Sequence, residues 1–162
     1  MTKQKAINNE AEIVEVYTIG HSNRSLKDFI EILNYYRIGV VIDIRRFPTS
    51  SKYPHFKKEV LKAELENKGI SYVWLGEELG GFRSGGYRQY MKSEEYKAGI
   101  RKLSKIIIDS SKKGLKIALM CSEKLWFKCH RRHISDTLLG MGYSVVHIID
   151  KEKTYVHKTR LY

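Results

Sequence analysis

The chain has little cysteine, little proline and a shortage of acid, and each scarcity excludes something. Two cysteines in 162 residues, Cys121 and Cys129, cannot build the multi-bridge framework of a small secreted domain. At most they pair with each other, as intracellular cysteines do in hyperthermophiles. With the histidines that follow they read Cys-x7-Cys-His-x2-His (Cys121, Cys129, His130, His133). That spacing matches no standard zinc ligand set, so neither a metal nor a cofactor is expected. No apolar run reaches 18 residues, so no transmembrane helix is expected. Residues 1–12 are polar and lack the apolar core of a signal peptide, which predicts a flexible tail on a soluble, cytoplasmic protein. The two prolines, Pro48 and Pro54, fall in one stretch, RRFPTSSKYPHF over 45–56, which therefore reads as a stiffened loop. Acid is scarce: 18 Asp and Glu stand against 30 Lys and Arg, a formal net charge of +12. Such a surface attracts polyanions, nucleic acid foremost. Abundant Lys, Ile and Tyr with only two glutamines, Gln4 and Gln89, suit a heat-adapted protein.

What is present is a repeated alternation of short apolar runs with helical patterns. Strands are predicted near 14–19, 40–44, 70–75, 116–120 and 143–149. Helices are predicted from Ser25, an N-cap with Asp28 three residues on, through Tyr36, then over 57–68, 93–113 and 129–141. Residues 76–90 read as a long loop and 151–162 as a basic, aromatic tail. The pattern predicts a single α/β domain over 13–162, with a mostly parallel central sheet of about five strands flanked by helices. In such sheets ligands bind beyond the carboxyl ends of the strands, where this chain concentrates reactive side chains.

The first strand runs into Gly20-His21-Ser22, where His21 can move a proton and Ser22 can cap or hold phosphate. The second runs into Asp43-Ile44-Arg45-Arg46. Period two puts Asp43 and Arg45 on one side, which suits a general base, a cation stabiliser or a phosphate clamp, or else a structural ion pair fixing the loop. The fourth runs into Met120-Cys121-Ser122-Glu123, followed by Cys129-His130-Arg131 at a predicted helix start. That turn suits anion binding, with Arg131 as a phosphate contact, Glu123 as an acid and Cys121 as either a nucleophile or a small core residue. His147, inside the last strand, reads as a satisfied core histidine. Aromatics beside cations mark the loops: Tyr53, His55, Phe56, Phe82-Arg83, Tyr87-Arg88, Tyr90 and Trp126, a mix that suits base stacking and phosphate contact.

Taken in order, Thr18-Ile19-Gly20-His21-Ser22, Asp43-Ile44-Arg45 with Pro48, Ser51, Pro54 and Phe56, Leu79-Gly80-Gly81, Leu119-Met120-Cys121-Ser122-Glu123 and Cys129-His130-Arg131 resemble domain-of-unknown-function family 488, over about residues 14–150. The resemblance implies an α/β fold whose site is built from these loops, and it points toward repair of damaged DNA bases. One departure is the stretch 124–128, Lys-Leu-Trp-Phe-Lys, where relatives often carry proline. The leading expectation is an enzyme acting on nucleic acid, DNA in the first place, and most concretely a DNA glycosylase that excises damaged bases. Its catalytic residues are expected among Asp43, Glu123, His21 and Cys121. Contacts to nucleic acid or phosphate are expected from Ser22, Arg45, Arg46, Ser51, Tyr53, Phe56, Arg83, Tyr87, Arg88, Trp126, His130 and Arg131. The alternatives are a sulfurtransferase- or phosphatase-like enzyme using Cys121, and a non-catalytic nucleic-acid-binding module.

Overall fold

Strands apolar on both faces need cover on both faces, and the helices supply it. The computed structural model describes residues 13–159, so the predicted tail 1–12 lies outside the described residues. The chain runs β1 (Glu15–Gly20), α1 (Leu26–Tyr35), β2 (Ile38–Asp43), α2 (Lys58–Asn67), β3 (Ser71–Trp74), α3 (Gly76–Leu79), α4 (Tyr87–Tyr90), α5 (Glu94–Lys112), β4 (Lys116–Cys121), α6 (Arg131–Gly140), β5 (Ser144–Asp150) and β6 (Lys153–Val156). The strands form one sheet in the order β3-β2-β4-β1-β5-β6, parallel except for β6.

Alternation along the strands divides the core between two layers. Tyr17, Ile19, Val41, Ala118 and Met120 face α1 and α2, and pack against Phe29, Leu33, Leu61 and Leu65. Val16, Ile42, Ile117 and Leu119 face the opposite way and meet Leu103 and Ile107 of α5 and Ile134 and Leu138 of α6. These strands therefore read as continuous apolar runs. The Ser25 side chain accepts a hydrogen bond from the Asp28 N–H at 3.0 Å and caps α1, the contact its sequence spacing predicted. Ser93 caps α5 in the same way through the Tyr96 N–H at 3.2 Å.

Two expectations change. Residues 76–90 are not a continuous loop, because single helical turns form at α3 and α4. Residues 153–156, expected within a tail, form the sixth strand, antiparallel to β5. All four of its residues are exposed, so no apolar alternation announces it. The strand is held by its surroundings instead. Trp126 stacks flat on His147 at 4.5 Å and on Tyr155 at 5.4 Å. His147 is fully buried with both ring nitrogens bonded, to Thr18 Oγ1 at 2.6 Å and to His157 Nδ1 at 2.9 Å, and His157 reaches Asp136 at 2.6 Å. Among the described residues no helix is long and apolar enough to cross a membrane.

Candidate functional site

The connections leaving β1 and β2 lead to α1 and α2 on one face, and the connection leaving β4 leads to α6 on the other. Loops that part in this way open a crevice at the carboxyl edge of the sheet. A cleft of about 920 Å³ lies there, with Arg46, Lys52, Lys128 and Arg132 in its lining. Arg45 lines it too, and Glu123 is its one lining carboxylate among the described residues.

Pairing between β1 and β4 continues past both strands into the site. The His21 N–H donates to the Cys121 carbonyl at 2.8 Å and the Ser22 N–H to the Ser122 carbonyl at 2.9 Å. The β4 loop then folds back over Gly20, so closely that a Cβ there would stand 1.8 Å from the Glu123 carbonyl oxygen. Only glycine permits that approach. His21 is buried, stacks on Phe56 at 4.2 Å and bonds through Nδ1 to its neighbour's carbonyl, Ser22 O, at 2.8 Å. Burial pulls its pKa down to about 4. Its imidazole is therefore neutral at pH 7, and with Nδ1–H donating to that carbonyl, Nε2 is left as an acceptor.

Asp43 and Arg45 do share a side, and they are bonded to each other. Asp43 is fully buried and does not line the cleft. Its oxygens accept from Arg45 Nε at 2.9 Å, from Arg45 Nη2 at 2.7 Å, from the Arg45 backbone N–H at 3.1 Å and from the Tyr72 hydroxyl. Burial and the adjacent carboxylate push the Tyr72 hydroxyl far up, so it stays a donor. With its lone pairs so occupied, Asp43 holds Arg45 in position.

The thiols divide differently from expectation. Cys121 is 2% exposed and its thiol is pushed up by burial. Cys129 lies 3.2 Å away, sulfur to sulfur, and also accepts the Arg131 backbone N–H at 3.2 Å. The hydrogen bond from Cys121 is the largest of the effects that hold the Cys129 thiol down, with His130 and the Arg131 charge acting in the same direction against burial. Of the two sulfurs, Cys129 is the one that stands beside the start of α6.

Arg131 does not reach the cleft as a phosphate contact. It is fully buried, with Nη1 donating to Thr18 Oγ1 at 3.2 Å and Nη2 to the Glu123 and Lys124 carbonyls at 2.7 and 3.2 Å. Its Nε has no hydrogen-bond partner, and no carboxylate pairs with it among the described residues. Phe56 and Trp126 are likewise taken up in packing, under His21 and against His147. Arg83 turns back to the Gly80 carbonyl at 2.8 Å and covers the Tyr90 ring at 4.0 Å. Ser51 and Arg88 are exposed but outside the cleft lining.

The cleft does bring together His21, Ser22, Arg45, Arg46, Tyr53, Tyr87, Cys121, Glu123 and His130. His130 Nε2 donates to the Ile44 carbonyl at 3.0 Å, and Tyr87 stacks on His133 at 5.6 Å while its hydroxyl donates to the Leu79 carbonyl at 2.7 Å. Sequence reasoning missed Cys129 as a thiol lining the cleft against Cys121, and missed Phe47 and Phe127 at the cleft mouth. Phe47, Phe82 and Phe127 are 61%, 84% and 49% exposed. Phe82 holds a positive φ of 60°, a conformation uncommon for a bulky residue, and its ring approaches Phe47 at 6.0 Å. The usable signal was a phenylalanine beside cations in Arg45-Arg46-Phe47 and Phe127-Lys128. Among the described residues no three His, Cys, Asp or Glu side chains converge as metal ligands.

The family model described as Domain of unknown function DUF488 matches residues 25–138. No curated protein and no solved structure matches the chain. On the span of that family match, which takes in the β2 loop, the β4 turn and both cysteines, the chain belongs to the DUF488 family.

Proposed function

We propose that the protein is an enzyme of DNA repair, a glycosylase that releases a base from a strand held in the cleft. One observation carries this reading: three exposed phenylalanine rings stand at the mouth of a cleft lined by Arg46, Lys52, Lys128 and Arg132. Exposed rings next to cations suit a strand whose bases stack and whose phosphates pair, and a cleft of about 920 Å³ accommodates an extruded nucleotide. Glu123 supplies the carboxylate for stabilising an oxocarbenium-like sugar or activating water. Neutral His21 offers an acceptor nitrogen on the cleft floor.

The test is base release from a panel of damaged and undamaged oligonucleotides, with binding measured on the same substrates. Glu123→Gln should lower release by about 10²–10⁴-fold and leave binding in place. Phe82→Ala should weaken binding by about 1–3 kcal/mol. Affinity should fall steeply with salt. Full release by the Glu123 variant sinks the excision mechanism. Salt-dependent binding with no release from any substrate reduces the protein to a binding module.

A further inference from the structure

The nucleic-acid reading leaves two thiols in contact with no task. Cys121 ends β4, buried on the α5 and α6 side of the sheet, and its sulfur meets Cys129 Sγ at 3.2 Å and the Glu123 carbonyl at 3.5 Å. Cys129 is half-buried and lines the cleft, two residues ahead of the ten-residue helix α6, and receives the backbone N–H of Arg131. A helix start concentrates unpaired N–H groups and positive potential, which favours a thiolate. Arg131 adds a second, independent reason. It is a fully buried guanidinium that, among the described residues, bonds only to neutral oxygens and leaves Nε unpartnered. A buried cation without a carboxylate calls for another anion nearby. The groups that act on Cys129 are Cys121 from β4 and His130 and Arg131 at the start of α6, and none is a carboxylate.

We propose that Cys129 and Cys121 form a dithiol exchange centre, with Cys129 attacking small disulfides that carry anionic groups and Cys121 resolving the adduct. A nucleophile for phosphoryl or acyl transfer needs one sulfur. A second thiol in contact with it, buried so that Cys129 is the sulfur it meets, suits a two-electron exchange. The Cys129 thiolate attacks one sulfur of the substrate, the substrate S–S bond breaks, and the first thiolate leaves with the electron pair. Cys121 then gives its proton to solvent and attacks Cys129 Sγ. The protein–substrate S–S bond breaks and the second substrate thiolate departs. The substrate is reduced to two thiols and the protein pair is oxidised to one disulfide. A low-molecular-weight thiol reverses the exchange and restores the dithiol. Stabilising the reduced form makes the protein disulfide easy to reopen. Lys128, Arg132 and Arg46 around the cleft select substrates bearing carboxylates. This centre does not depend on the nucleic-acid reading, which is tested separately through Glu123.

The probe is oxidised glutathione, added in excess to the folded wild-type chain, Cys121→Ser and Cys129→Ser, followed by acid quench and intact mass. Wild type should close an internal disulfide and retain no glutathione. Cys121→Ser should hold one glutathione on Cys129, and Cys129→Ser should take up none while folded. Iodoacetamide at about pH 6 should label wild-type Cys129 roughly a hundredfold faster than Cys121, because an ordinary thiol is under about 1% ionised there. This second readout needs no variant to fold. Uptake by Cys129→Ser as fast as by Cys121→Ser, equal labelling of the two thiols in wild type, or a wild-type dithiol that stays reduced in oxidised glutathione would each overturn the proposal.

Discussion

Two buried arginines stand at the same edge of the sheet and are balanced in opposite ways. Arg45, beyond β2, is locked onto Asp43 by three hydrogen bonds, and Tyr72 completes the carboxylate. Arg131, beyond β4, holds only carbonyls and one hydroxyl among the described residues. The first end is a closed ion pair. The second keeps a positive potential that favours an anion nearby and acts to lower the pKa of the Cys129 thiol. The same residue type thus makes scaffold in one loop and reactivity in the other, depending on whether a carboxylate is built in beside it.

The closed end should break at the greatest cost. Asp43→Ala leaves Arg45 buried without its partner, and such losses run to about 3–5 kcal/mol. A denaturant midpoint measures it, and a loss under about 1 kcal/mol would mean that Arg45 finds other compensation. Acid loads both ends together. Burial lowers His21, with the Arg45 charge adding to it, and burial lowers His147, with the Arg131 charge adding to it. Both histidines bind protons more readily in the unfolded chain. Their contribution is therefore complete above the unfolded value near 6.5 and is lost as pH falls toward about 4 for His21 and about 2 for His147. The His21 part amounts to about 3 kcal/mol by pH 4, read from unfolding midpoints against pH. The subtlest contrast concerns the thiol. Arg131→Met should raise the pH midpoint of Cys129 alkylation by about one unit or more, whereas Asp43→Asn should leave it unmoved. Equal shifts in both variants would erase the distinction between the two ends.

Much of this arrangement was legible in the sequence. The apolar runs and the Ser25 cap placed the strands and helices, because burial on both faces and local capping leave direct traces in composition. Period two put Asp43 with Arg45. It did not show their depth, which follows from the pairing of β2 between β3 and β4. The exposed strand β6 left no apolar pattern, since its stabilisation comes from Trp126 and His147 far away in sequence, with His157 at its end bonded to His147. The choice between the thiols depended on the 122–130 turn bringing Cys129 back against Cys121, a closure no local propensity encodes.

By itself, then, the sequence determined an α/β sheet, a strongly basic surface and a set of reactive residues gathered at the strand ends. These follow from periodicity, charge and chain order, which are local or additive properties. Tertiary structure alone decided that Asp43 is buried and bonded to Arg45, that Arg131 is a buried charge with no carboxylate partner among the described residues, that Phe47, Phe82 and Phe127 ring the cleft, and that Cys129 meets Cys121 beside the start of α6. Each of those depends on burial and on contacts between distant segments, and it is burial and distance that set which polar groups are satisfied and which remain free to react.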